Sequence, residues 1–462
     1  MIPLSVREAA KIVGGELFGA ADAIVTREPF FDSREAIRGG IFLALQGEHV
    51  DGHAYVVDAI KDGGVTALTT RKVGDTCIVV DDVLGALSRL GAEVRRRLPA
   101  MKVIGITGSQ GKTTTKDITR HLLSMVGETL APEQSFNNDL GVPLTLLRAT
   151  EKTQFCVLEM GARHRGDISR LVQMAKPNIG VVLVVGTAHI GEFGSRAGIA
   201  ETKSEIVQGL GVDGRAILGT YDEYTPLMRE KTRATTLFFG EIPSCDVRAA
   251  DIEIREGRAH FELVTRAGRE PVALRLIGRH QVPNALASAA IATSLGISID
   301  RIATGLSTAE GASGCRMEIS EISSVLLIND SYNANPESMS AALETLRYFA
   351  QERGGRAWAF IGRMHELGDS SREDHQKIIE RAESLEIDQV VAINTPEYQS
   401  NSSGSATSVQ HVSTLEEALA ISKEITSGDV ILVKGSRAEG LEKLSEIITE
   451  SLQNNPTAEV NE

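Results

Sequence analysis

The chain is poor in the features that mark several whole classes of protein. Among 462 residues there are four cysteines, Cys77, Cys156, Cys245 and Cys315, and no C-x-x-C pair. That excludes a disulfide framework or a cysteine-built zinc site as an expectation, and the four read as reduced cytosolic thiols. No run of about 18 apolar residues occurs, so no transmembrane helix is expected. The opening stretch MIPLSVREAAKIVGG carries charges of both signs and no apolar core, so it does not read as a signal peptide. An excess of positive charge is also missing. The net charge is −14 and the pI near 5.3, which argues against a nucleic-acid or membrane-surface partner. Anionic ligands must then be met by local sites and metal ions. No internal repeat of about 20–50 residues is found.

What is present begins with Ile106–Lys116, ITGSQGKTTTK. An apolar run, Met101–Ile106, reads as a buried strand before it, and an amphipathic segment, Thr113–Val126, as a helix after it. Gly108 and Gly111 let backbone approach a phosphate, and free N–H groups at a helix start attract anions. Lys112 can reach terminal phosphates and Thr113 can hold Mg²⁺. A regular Walker A motif needs glycine at position 106, where this chain has isoleucine. The loop is therefore a shorter one.

The length allows about two to four domains. Residues 1–83 read as a small α/β unit, with strands at Ile41–Leu45 and Thr76–Val80 and a helix at Tyr55–Asp62. Leu84, Leu87, Leu90, Val94 and Leu98 recur at helical spacing up to Pro99, a helix leading into the next domain. Residues 84–312 alternate strands (Lys102–Ile106, Phe155–Leu158, Ile179–Val185, Ala216–Leu218) with helices, as in a covered parallel sheet. The alternation at Asp251–Arg255 and Ala259–Thr265 predicts an antiparallel patch, and a helix at about Val282–Leu295 closes the unit. Residues 313–462 repeat the pattern, with strands at Val325–Ile328, Trp358–Ile361, Gln389–Ile393 and Val430–Val433. There Asn335 is a candidate N-cap, Pro336 the first helical residue, and Met339, Leu343, Leu346 and Phe349 the buried face. Ser400–Ser408 reads as a solvated loop and the tail from Gln453 as disordered. The fold class is α/β in three domains: a central parallel-sheet ATPase-like unit flanked by a small α/β unit and a Rossmann-like one.

Two further residues stand where open α/β sheets bind ligands, beyond the carboxyl ends of strands, and a third lies near them. Glu159 ends the strand of FCVLEMG and could hold Mg²⁺ or simply face water. His189 follows the next strand in VGTAHIGEFGS. Lys203, in AETKSEI, lies a short helix away.

These blocks, with SFNNDLGVPLTLL (Ser135–Leu147), LEMGA, DSYNANPESM (Asp330–Met339), MHELG (Met364–Gly368), KGSR (Lys434–Arg437) and FDSREAIRGGIFLALQGEHVDGH, resemble the Mur ligases, ATP-dependent amide-forming enzymes of peptidoglycan synthesis. They occur in the family's order across nearly the whole chain. The YNANP block resembles the branch that adds D-alanyl-D-alanine to a UDP-N-acetylmuramoyl-tripeptide. The branch adding the third residue, and folylpolyglutamate synthases, would carry a different block there. Intact Lys112, Glu159, His189 and Lys203 speak against a non-catalytic nucleotide-binding paralogue.

The resemblance implies ATP and two Mg²⁺ ions as cofactors, a cytoplasmic monomer, and no nucleic-acid partner or membrane insertion. It assigns Thr107, Gly108, Ser109, Gln110, Gly111, Lys112, Thr113 and Thr114 to the nucleotide phosphates, and His280 and Asn284 to the adenine. Arg316 is implied at phosphate and Asp330 at ribose. Glu159 and His189, with Thr113 on the nucleotide side, are implied as metal ligands, and Lys203 as a carbamylated lysine placing the second ion. Ser33 and Arg34 are implied for the UDP sugar, Asn137 and Asn138 for the growing peptide, and Asn333, Asn335 and Pro336 for the incoming dipeptide. The pattern is broken in two places. Gly219–Asp222 stand where the family has an asparagine followed by acidic residues, and Arg363 stands where it has an acid.

Overall fold

A computed structural model describes residues 1–47, 50–132, 135–311, 313–400 and 405–454. The first unit holds a four-stranded sheet in the order Glu16–Phe18, Cys77–Val79, Thr66–Thr69, Ile41–Leu43. The last three strands are parallel and the first is antiparallel. The helix Val6–Val13 begins at Ser5, whose side chain and Glu8 form a reciprocal capping box. The expected helix is Val56–Lys61, preceded by a 3-10 turn at Gly52–Tyr55.

The helix Val83–Arg97 joins this unit to the next, and its apolar stripe packs into one core with residues of both. Arg95 on this helix is buried, and its guanidinium donates to the carbonyls of Leu98 (2.8 Å), Met101 (3.1 Å) and Ala175 (3.1 Å). A buried cation among carbonyl dipoles fixes the helix against the C-terminal end of the helix Asp167–Ala175.

The central sheet has nine strands. Its order is Gly268–Ile277, Arg258–Thr265, Val247–Arg255, Thr235–Gly240, Arg215–Gly219, Ile179–Val182, Lys102–Thr107, Phe155–Glu159, Thr129–Leu130. Pairing is parallel from Val247–Arg255 to the far edge and antiparallel in the added hairpins. The expected strand at Ile179–Val185 stops at Val182. Beyond it the backbone serves the site: Ser109 N donates to Val184 O and Val185 N to Asp222 Oδ2, both at 2.9 Å.

The last unit is a six-stranded sheet: Glu318–Ile322, Val325–Asn329, Val430–Lys434, Ala357–Ile361, Gln389–Ile393, Ser408–Val412. Only the first strand is antiparallel. Asn335 caps the helix Pro336–Arg353 as expected, accepting from Ser338 N at 2.8 Å. Two expectations change. Gln453 and Asn454 belong to the helix Glu442–Asn454, because Leu452 still packs in the core; the rest of the expected disordered tail lies outside the described residues. The expected loop Ser400–Ser408 ends where Ser408 starts a strand, and its residues 401–404 lie outside the described residues.

Candidate active site

The phosphate loop lies between the strand Lys102–Thr107 and the helix Lys112–Ser124. Gly111 is the N-cap with φ 80°, a left-handed conformation that disfavours side chains. A Cβ there would also run into Asn284 Oδ1, so the residue must be glycine on two counts. Lys112 Nζ folds back to donate to Gly108 O at 2.8 Å. Asn284 is buried and ties the loop to the helix Gln281–Ser294, since Thr115 Oγ1 donates to its Oδ1 and its Nδ2 donates to Gln281.

A cleft of about 1050 Å³ opens beside this loop, between the central and last units. It gathers Ser109, Gln110, Gly111, Lys112, Thr113 and Thr114 with Asn137, Asn138, Glu159, His189 and Lys203. His280 and Asn284 line it beside the loop, and its other side brings Arg316, Asp330, Asn333 and Asn335. Five expected residues are not in its lining. Thr107 and Gly108 lie beneath the loop, Pro336 only starts its helix, and Ser33 and Arg34 stand on the first unit. There Arg34 is 87% exposed and its guanidinium is taken by Asp32 at 2.6 Å, which holds the Asp32 carboxyl down at about 2.

The central wall carries desolvated charge. Glu159 is fully buried; Thr113 Oγ1 donates to its Oε2 at 3.2 Å, and its Oε1 has no partner among the described residues. Burial raises its carboxyl, against the pull of Lys112, Lys116 and Arg316. Burial lowers the Lys112 ammonium, and pushes the Lys203 ammonium well below its ordinary range, with Lys112 adding repulsion. Lys203 sits on the helix Arg196–Gln208 and is 6% exposed. His189 takes φ 63°, rare for a residue with a side chain, and its Nδ1 lies against the Glu366 carboxylate of the last unit.

Among the described residues, no three His, Cys, Asp or Glu side chains form a ready metal cage. Mg²⁺ needs less, since it binds through one or two carboxylates together with substrate phosphates and water. The orphaned Glu159 oxygen beside the Thr113 hydroxyl fits such an ion.

The opposite wall pairs its buried cation with a carboxylate of its own. Lys434 Nζ donates to Asp330 Oδ2 at 2.6 Å and to Asn333 O at 2.9 Å. Arg316 lies 3.9 Å over the Tyr332 ring and donates across the cleft to Ser135 Oγ at 3.2 Å. Ser135 in turn bonds Thr113 Oγ1 at 2.7 Å. Glu337 reaches across to Thr187.

Single-residue roles were not read for Ser135, Tyr332, Glu337, Glu366 and Lys434, although each lies in a block singled out by resemblance. Tyr221 and Asp222, in the first pattern break, also line the cleft. Asp222 accepts from Val185, Tyr224 and Thr225, so it stiffens the loop that leads to His189. Arg363, the second break, pairs with Glu397 at 2.8 Å.

Two family models match the chain: the Mur ligase middle domain over residues 106–292, and the Mur ligase glutamate ligase domain over residues 315–437. The UDP-N-acetylmuramoyl-tripeptide–D-alanyl-D-alanine ligase of Mycobacterium tuberculosis is 38% identical, over 96% of each chain. A crystal structure of MurF from Acinetobacter baumannii superposes with a TM-score of 0.88 at 34% identity, covering 97% of this chain and 99% of the other. MurF ligase from Thermotoga maritima in complex with ADP gives a TM-score of 0.81 at 30% identity, over 93% and 99%.

Proposed function

The chain belongs to the Mur ligase family, and on that premise we propose that it joins D-alanyl-D-alanine to UDP-N-acetylmuramoyl-tripeptide with ATP. The products are the UDP-linked pentapeptide, ADP and phosphate. The observation that carries this reading is one cleft in which the phosphate loop, the unpartnered Glu159 oxygen, the half-buried Lys112 and the buried Lys203 face the Asn333–Asn335 loop.

The chemistry needs such a wall. A carboxylate is a poor acyl donor because oxide is a poor leaving group. Transfer of the γ-phosphoryl group makes it an acyl phosphate, which an amine can attack. Lys112 turns from Gly108 O to the γ-phosphoryl group and offsets the repulsion between two anions. Thr113, Glu159 and His189 would hold two Mg²⁺ ions, which supply charge neutralisation between phosphate and carboxylate. Lys203 fits a carbamate: its burial favours the neutral amine that adds CO₂, and the resulting anion would complete a ligand set with few carboxylates. Its role is electrostatic. Arg316 and Asp330 close on the nucleotide, and Asn333 and Asn335 shape the dipeptide site. Asn137 and Asn138 face the tripeptide. Closure of the last unit excludes water from the acyl phosphate.

Residues 1–83 are read as the UDP-sugar domain, 84–312 as the ATP domain and 313–462 as the closing domain. A single chain carries every group named, so it is read as a monomer. Its nucleotide substrates place it in the cytoplasm. No described helix is long and apolar enough to cross a membrane.

The test is a substrate panel. ATP, Mg²⁺ and UDP-N-acetylmuramoyl-tripeptide are supplied with D-alanyl-D-alanine, lysine or meso-diaminopimelate, and phosphate and product mass are followed. Release of phosphate and gain of one dipeptide only with D-alanyl-D-alanine supports the reading. Turnover only with lysine or meso-diaminopimelate sinks it.

A further inference from the structure

Among the described residues, seven acidic side chains line the cleft, and all but one are already committed. Asp139 and Asp167 share Arg170, at 3.0 and 2.8 Å. Asp330 pairs with Lys434, and Glu366 with His189. Asp222 has both oxygens filled by donors from Val185, Tyr224 and Thr225. Glu159 is buried on the metal side. Glu337 is half-buried, has no cationic partner among the described residues, and accepts from a single residue: Thr187 N donates to its Oε1 at 2.9 Å, and Thr187 Oγ1 lies 3.0 and 3.1 Å from its two oxygens.

Its place follows from the helix start. Asn335 caps, Pro336 takes the first position, and Glu337 follows in the first turn, directly after the loop that carries Asn333. The carboxylate is thereby carried across to the phosphate loop. A Cβ added to Gly186 would lie 2.8 Å from Glu337 Oε1 and 3.4 Å from Ser109 Cβ. A carboxylate with no cationic partner, offset only by its helix N-terminus and the Thr187 N–H, thus sits between the dipeptide loop and the phosphate loop. The other charges facing that space include Lys112, Lys203, Arg316 and Arg437, all of which repel a cation.

We propose that Glu337 binds the ammonium group of the incoming dipeptide and sets its nitrogen toward the acyl phosphate. The inference rests on the ligase reading above. A charge-assisted hydrogen bond from ammonium to Glu337 replaces the hydroxyl of Thr187 at one oxygen; transfer of that proton to the carboxylate frees the nitrogen lone pair, which attacks the acyl carbon from one direction as phosphate leaves. A purely structural role, as a clamp between the two units, needs only an acceptor for Thr187.

Glu337→Gln separates the two roles, because its amide oxygen can still accept from Thr187 but carries no charge. The KM for D-alanyl-D-alanine should rise at least tenfold. Acyl phosphate formed from ATP and tripeptide alone, trapped by borohydride reduction, should stay within about twofold. A dipeptide analogue with hydroxyl in place of the amine should inhibit wild type and variant equally. Thr187→Val, which loses the hydroxyl but keeps the carboxylate, should leave the dipeptide KM within about threefold. An unchanged dipeptide KM in Glu337→Gln overturns the proposal, as does a tenfold rise in Thr187→Val. If wild type makes no tripeptide-dependent acyl phosphate, the ligase reading fails first and this inference with it.

Discussion

The two walls of the cleft handle charge in opposite ways. On the central wall, Glu159 Oε1 has no partner among the described residues, and burial works against the charged forms of Glu159 and Lys203. On the other wall, Asp330 is held by Lys434 and Arg316 lies on Tyr332. A wall of unpaired, desolvated groups is costly in the empty protein and strong once phosphate, metal and carboxylate arrive, because little reorganisation is left to do. A wall that, Glu337 apart, pairs its charges within itself can move as a body and expose little bare charge. On the proposed reading, the central wall carries the chemistry and the other closes on it.

The sharpest way to break this contrast is Lys112→Ala. It removes the only cation on the phosphate loop itself, and trapped acyl phosphate should fall by about 10³-fold or more. Survival of phosphoryl transfer would give the loop another role. Next comes Lys203→Met. Turnover should fall by about 10²–10³-fold, and in Lys203→Ala formate or acetate should restore part of it. Full activity in either variant removes the carbamate role.

The same Lys203→Met substitution should stabilise the unliganded chain in CO₂-free buffer. Below the ordinary lysine value of 10.5 the unfolded chain holds this proton, while the folded chain, with its value well lowered, does not. The unfolded state binds more protons there, so this residue's share of stability rises with pH up to that value and falls as pH drops. The variant should flatten that slope in urea titrations at successive pH values.

Lys434→Met tests the paired wall. The Lys434 side chain is 2% exposed, and its loss would leave Asp330 without its cation. Stability of the last unit should drop by about 3–5 kcal/mol, read by urea unfolding. The nucleotide KM should rise by less than the loss in Lys112→Ala, because Lys434 acts through Asp330. Equal damage to phosphoryl transfer would erase the difference between the walls.

How much of this was legible follows the range of each contact. The phosphate loop is a local signature, strand, glycine turn and helix within a dozen residues, so its placement was readable from spacing. Glu159, His189 and Lys203 became persuasive only through the family's pattern, because nothing local says that a strand-ending glutamate is buried. Lys434 and Asp330 are 104 positions apart, and Thr187 and Glu337 are 150 apart. No periodicity encodes such pairs. The strand Gly268–Ile277 was hidden by Pro271 and its charges, which an edge strand tolerates because one side needs no ladder bond. The strand Thr66–Thr69 was too short to announce itself, although all four residues are buried. On the helix Val83–Arg97 the leucine stripe was plain, whereas the burial of Arg95 depends on carbonyls that only the fold brings near.

The smallest expected effect is on the first unit. Arg34 is an exposed side chain that the resemblance places at the UDP sugar, yet here it is committed to Asp32. The Asp32 carboxyl, held at about 2, stays ionised at neutral pH and competes with any diphosphate for the guanidinium. Removing Arg34 should leave the melting temperature unchanged, since an exposed pair is screened by solvent. The KM for the UDP substrate should rise a few-fold with kcat untouched, because the contact is far from the bond that forms. Asp32→Asn should act in the opposite direction, freeing Arg34 and lowering that KM. If both variants match wild type, the first unit grips the UDP group without Arg34. If Arg34→Ala instead lowers kcat, the first unit takes part in chemistry, and the division between a reactive central wall and its supporting surroundings must be redrawn.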